Sequence, residues 1–115
     1  MKKLALILVV VCYTMLATAQ QNFEVITKKP TPGSIVTIEY MPRNTVLQGV
    51  KDIEAVAYLL EGKLPLAKSV SLKQEGGIFR GQVKTNDTTK AVFFTFFKDE
   101  KRDNNNDEGY YTLLY

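Results

Sequence analysis

The chain has 115 residues, 15 Lys and Arg against 12 Asp and Glu, a single cysteine and no histidine. The missing histidine removes the commonest metal ligand and near-neutral general base, and one cysteine supports no intramolecular disulfide, CxxC redox pair or multi-thiolate metal site. The lysines are scattered singly among acids, so the pI near 9.0 comes without the basic stripe that nucleic-acid binding requires.

At the amino terminus Lys2 and Lys3 precede an apolar run to Cys12 that tails off through Met15 and Leu16, and "ATA" at 17–19 offers small residues at the cleavage-site positions. Residues 1–19 therefore read as a cleaved signal peptide, and residues 20–115 as one domain delivered to the periplasm or secreted. The apolar run is well short of the ~20 residues that cross a bilayer, so no membrane span is expected after cleavage. Cys12 follows Val10 and Val11, where a lipoprotein signal wants a small residue, which argues against a lipid anchor. Cleavage at 19 leaves 96 of the 115 residues, with 13 basic side chains against 12 acidic ones, and takes the lone cysteine away.

The remaining chain has the period of strands. "FEVITK" (23–28) runs into the turn signal "KPTPG", and in "SIVTIEYM" (34–41) Val36, Ile38 and Tyr40 alternate with Thr37 and Glu39. "PRNTVLQGVKD" (42–52) is then the connection that crosses from one sheet to another. Five further strands are expected at 53–60, 66–72, 78–84, 91–98 and 110–115, with Gly62, Gly76 and Gly77 supplying turns and "TNDTT" (85–89) a polar connection. In the strand at 78–84, Phe79, Gly81 and Val83 face inward. No stretch carries a helical period. The expected class is all-β, an immunoglobulin/fibronectin III-like seven-stranded β-sandwich, with an all-β barrel as the lesser alternative.

The segments "FEVITKKPTPGSIVTIEYMP", "KDIEAVAYLL", "GIFRGQVKTNDTTKAVFFTFF" and "DNNNDEGYYTLLY" together resemble the immunoglobulin-like domain at the amino end of a group of Gram-negative periplasmic proteins. In that group a thioredoxin-like domain of the thiol-disulfide oxidoreductase type commonly lies further along. The resemblance implies a non-catalytic accessory, interaction or spacer module of an envelope protein. The sequence to Tyr115 contains no CxxC, so the family's redox chemistry is carried onto no residue here, and no enzymatic activity or cofactor is expected. A truncated fragment of such a protein and a stand-alone domain read alike.

Two loops invite a chemical reading. In "KDEKRDNNNDEGYY" (98–111), Asp103, Asn105 and Asp107 alternate as in the first half of an EF-hand loop. However, Glu108 stands where the glycine belongs and Leu114 where the bidentate glutamate belongs, so a solvated turn between strands is expected instead of a metal site. Asp87-Thr88-Thr89 resembles a short bacterial O-glycosylation site, with Thr88 as its acceptor. A carbohydrate-binding sandwich is the alternative function, with Tyr58, Tyr110 and Tyr111 as candidate ring platforms, although the chain has no tryptophan.

Strand phase locates the surface most suited to a partner. Glu54 marks the outward side of the strand at 53–60, which then also carries Val56, Tyr58 and Leu60. Thr95 marks the outward side of 91–98, which carries Phe93 and Phe97 while Val92, Phe94 and Phe96 point inward. Neighbouring strands would join these five large side chains into one apolar patch on the sheet that also holds 110–115, and such patches mark interfaces. The expected occupant is a following domain or a partner protein, with a glycan as the other possibility.

Overall fold

The computed structural model describes residues 22–115; among them the chain forms nine strands and no helix. The strands are β1 (Phe23–Val25), β2 (Ile35–Tyr40), β3 (Glu54–Leu60), β4 (Pro65–Val70), β5 (Lys73–Glu75), β6 (Ile78–Lys84), β7 (Ala91–Lys98), β8 (Lys101–Asp103) and β9 (Tyr110–Leu113). They make two antiparallel sheets. One has the order β1-β2-β6-β5; the other runs β4-β3-β7, with β8 and β9 both pairing the free side of β7. The leader read at 1–19 lies outside the described residues. No helix among those described is long and apolar enough to cross a membrane.

The alternation seen in the sequence decides which side of each strand is buried. Val36, Ile38 and Tyr40 of β2 are closed to solvent, and their partners across the ladder, Val83, Gly81 and Phe79 of β6, share that face. On the second sheet Ala55, Ala57 and Leu59 of β3 lie beside Phe96, Phe94 and Val92 of β7. The two inner faces meet in one core, joined by Phe23 from β1, Leu47 from the crossing connection, Ile53 immediately before β3, and Val70 from β4. This is the layering of a β-sandwich, in which each sheet hides one face against the other.

Gly81 permits the sheets to close at one edge. A Cβ there would stand 2.6 Å from Val70 Cγ1 and 2.8 Å from Leu72 Cδ2, so the end of β4 packs against bare backbone. Edge strand β4 also turns Lys68 toward the partner sheet, and its ammonium donates to the carbonyl of Lys84 at 3.0 Å. An inward charge on an edge strand is one of the devices that discourage further strand addition.

All seven expected strands are present, and two more appear. β5 and β8 read KQE and KRD. Three polar residues carry no hydrophobic period, so only their hydrogen-bonded neighbours β6 and β7 make them strands. β5 joins β6 through Gly76 and Gly77, with positive φ (62°) at Gly76, as a two-residue hairpin turn requires. Gly62 and Gly77, expected to take a similar conformation, are not among the residues with positive φ.

Candidate functional site

The stretch at 98–111 is an interrupted strand. Asp103 of β8 pairs with Phe96 of β7, and Tyr110 of β9 pairs with Phe94. Residues 104–109 thus replace the single residue that would have faced Thr95. Asp103 and Tyr110, distant in sequence terms for a strand, consequently sit as next neighbours on the inner face. The excursion runs through three consecutive residues in the left-handed region, Asn105 (53°), Asn106 (54°) and Asp107 (68°), and ends at Gly109 (73°). Asparagine and aspartate tolerate that conformation because their short side chains bond locally. Here Asn104 Nδ2 donates to Asp107 Oδ1 at 2.9 Å, and Asn105 Nδ2 donates to the Gly109 carbonyl at 3.0 Å.

Asn104 and residues 106–108 form the expected solvated turn, and Asp103 is its exception. The residue is 7% exposed and its carboxylate is fully engaged: Oδ2 accepts the phenolic protons of Tyr40 and of Tyr110, the latter at 2.7 Å, while Oδ1 accepts the Asn105 N–H at 3.0 Å. Tyr40 comes from the opposite sheet, so the carboxylate ties the two layers together. Its ring lies flat on Phe96, with centroids 3.8 Å apart, and Tyr110 meets both rings edge-on. Beside this clamp a polar hollow of about 260 Å³ is lined by Asn22, Asn44, Thr45, Arg102 and Asn106, among others. Among the described residues no group of three His, Cys, Asp or Glu side chains is placed to hold a metal.

Burial, followed by the hydrogen bond to Asp103, raises the pKa of both Tyr40 and Tyr110 well above the ordinary value of 10.0. The folded state therefore holds two phenolic protons that the unfolded chain releases near pH ~10. Stability from these groups is complete below that pH and falls above it, by about 1.4 kcal/mol per pH unit for each phenol. Ultraviolet titration is expected to show both phenolate signals appearing only with alkaline unfolding, as followed by circular dichroism. Ionisation of every tyrosine while the strand signal persists would contradict the clamp.

At the opposite end of the sandwich Glu61, just after β3, accepts hydrogen bonds from Asn86 Nδ2, Thr88 Oγ1 (3.4 Å) and Thr89 Oγ1 (3.1 Å). Thr89 is fully buried, whereas Thr88 stays exposed. The polar connection at 85–89 is thus a tied knot in which Thr88 is the accessible hydroxyl.

The outer faces of the two sheets differ sharply. On the first, Thr37, Glu39, Arg80, Gln82, Lys84, Lys73 and Glu75 alternate outward with Ile35 and Ile78, and Arg80 forms an ion pair with Glu39. On the second, cross-strand registers lay the side chains in rows. One row is Ala67-Tyr58-Phe93-Tyr111; the next is Pro65-Leu60-Ala91-Leu113; on the other side come Ser69-Val56-Thr95 and then Glu54-Phe97-Arg102. The structure brings Val56, Tyr58, Leu60, Phe93 and Phe97 onto this one face. Phe93 is 36% exposed and the others are half-buried. Phe93 stacks on Tyr111 with centroids 5.3 Å apart, and the Arg102 guanidinium lies 5.3 Å above the Phe97 ring. Between them Thr95 Oγ1 is closed to solvent and has no hydrogen-bond partner. Glu54 and Arg102 are the only charged side chains in these four rows.

Tyr111 and Leu113 belong to this face by register and were absent from the five residues read from the sequence; the apolar alternation of "YYTLL" is the signal that finds them. Of the three tyrosines considered for a sugar ring, Tyr110 is buried and bonded to Asp103. Its ring meets Phe23, Tyr40 and Phe96 in the core, so it offers no stacking surface. Compared with known proteins, the chain matches no family model, no curated protein and no solved structure.

Proposed function

We propose that this chain is a non-catalytic interaction or spacer module of the cell envelope, an immunoglobulin-like domain whose β3-β7-β9 face docks a protein surface. The observation that carries the reading is the contrast between the two outer faces. One is charged and ion-paired; the other exposes a continuous set of aromatic and aliphatic side chains with a single acid and a single base. Isolated surface apolar residues are ordinary, but a contiguous patch of this kind marks an interaction site. The order β1-β2-β6-β5 in one sheet and β4-β3-β7, with β9 beside β7, in the other is compatible with an immunoglobulin-like sandwich, and supports that reading. The envelope location rests on the leader at 1–19, and the resemblance to accessory domains of thioredoxin-family proteins makes a following domain a natural occupant.

The row Tyr58-Phe93-Tyr111 also favours a second reading, a sugar-binding face. It counts for less because the rings have few polar neighbours to hold hydroxyls, and Thr95 Oγ1 is out of reach of solvent. A glycan array separates the two: specific retention on the array supports the sugar and removes the protein reading.

Replacing Phe93 and Phe97 together by Ser tests the face itself. Both point away from the core, so the doubly substituted protein is expected to unfold in urea within about 1 kcal/mol of the parent, to bind less of an apolar dye and to be more soluble. A loss of several kcal/mol, the size expected for core phenylalanines, would place these rings in the core and remove the docking face.

A further inference from the structure

Resting on the docking face proposed above, we infer that its occupant is a second copy of this chain, the two related by a two-fold axis that runs along β7. The inference follows from how the rows are ordered. β7 is the central column, with β3 on one side and β8 and β9 on the other. A half-turn about β7 lays the face on itself and exchanges the flanking columns. Phe93, Thr95 and Phe97 then face their own counterparts. Tyr58 faces Tyr111 of the second copy, and Leu60 faces Leu113, both apolar on apolar. The two charges also exchange: Glu54 and Arg102 flank Phe97 on one row, so each Glu54 meets the Arg102 of the other copy, twice over by symmetry. Within the chain neither takes part in an ion pair among the described residues, where the ion pairs are Arg80 with Glu39 and Lys73 with Glu75. A two-fold contact demands a surface complementary to itself, and this one places apolar on apolar and acid on base without moving a strand. Sheets packed face to face in this way keep their strands within about 30° of one another.

Size sets the strength. The three columns that oppose one another, about 4.8 Å apart, and about seven residues of 3.3 Å give a face of roughly 14 by 23 Å, or ~330 Å² per copy seen flat on. Two copies bury less than the 1,200–2,000 Å² of a standard stable interface, placing the contact among the weak ones. The dimer is accordingly expected to have a Kd above about 1 µM and to come apart on dilution below its Kd, and added salt weakens its charged row.

Sedimentation equilibrium over a wide concentration range, on protein as recovered from the expressing cells, tests this with two charge reversals. E54R alone and R102E alone each set like charges opposite one another at two symmetric places, and each is expected to weaken the dimer roughly fivefold or more. An equimolar mixture of the two restores opposite charges at both places and is expected to recover the parent affinity as a mixed dimer. Monomer at every concentration overturns the second copy as occupant, and leaves the docking face standing if the paired Phe93 and Phe97 substitution still lowers dye binding. A dimer weakened by that pair but indifferent to both reversals overturns the two-fold arrangement along β7. Unfolding of the Phe93 and Phe97 variant is the separate result that removes the face itself.

Discussion

Asp103→Ala is expected to cost about 3–5 kcal/mol of folding stability. The substitution strips the acceptor from two buried hydroxyls, Tyr40 and Tyr110, and from the Asn105 N–H that begins the left-handed excursion. Each buried polar group left without a partner costs about 1–3 kcal/mol. A domain of this size is stable by only about 5–15 kcal/mol, so the loss is a large fraction. Asp103→Asn keeps the shape and one acceptor oxygen and should lose less, about 1–2 kcal/mol. Urea unfolding measures both. An Ala variant with an unchanged midpoint would show that water replaces the carboxylate and that the clamp contributes nothing.

Phe96→Ala is expected to destabilise by about 3–5 kcal/mol, the cost of emptying a core phenylalanine site that cannot collapse. Its ring is wholly buried, stacked on Tyr40, edge-on to Tyr110 and tilted against Phe23. Those rings come from three different strands, so no single movement refills the space. The neighbouring Phe97, one residue along β7, points the other way and carries only Arg102 over its face. The same measurement on Phe97→Ala should give under about 1 kcal/mol. Equal losses at the two positions would mean that the outer face is covered within the chain.

Much of this architecture is legible in the sequence because its strands are half-wet. Where Thr37 and Glu39 alternate with Val36, Ile38 and Tyr40, or Arg80 and Gln82 with Phe79 and Val83, the period of two states both the element and its phase. Even in the nearly all-apolar "AVFFTFFK" of β7, the lone Thr95 is enough to divide Phe93 and Phe97 from Phe94 and Phe96. What the sequence hides depends on distant partners. KRD becomes β8 only because β7 has a free side, and Asp103 is buried because Tyr40, 63 residues away, reaches it from the other sheet. Nothing within "RDNNNDEG" distinguishes that aspartate from Asp107, which stays in the exposed turn. Five side chains of the candidate face were readable from strand phase, yet the membership of Tyr111 and Leu113, and the row that sets Glu54 and Arg102 on either side of Phe97, required the register.

The excursion at 104–109 has a practical meaning for anyone who wishes to graft sequence onto this scaffold. Its two anchors, Asp103 and Tyr110, hold one another through their own hydrogen bond and through β7, so the gap is closed whatever spans it. Extending a loop between fixed ends costs little, about 0.6 kcal/mol for each doubling in length. The left-handed turn is therefore an entry port where a foreign peptide can be displayed at the rim of the sandwich, leaving the ladders and the aromatic face untouched.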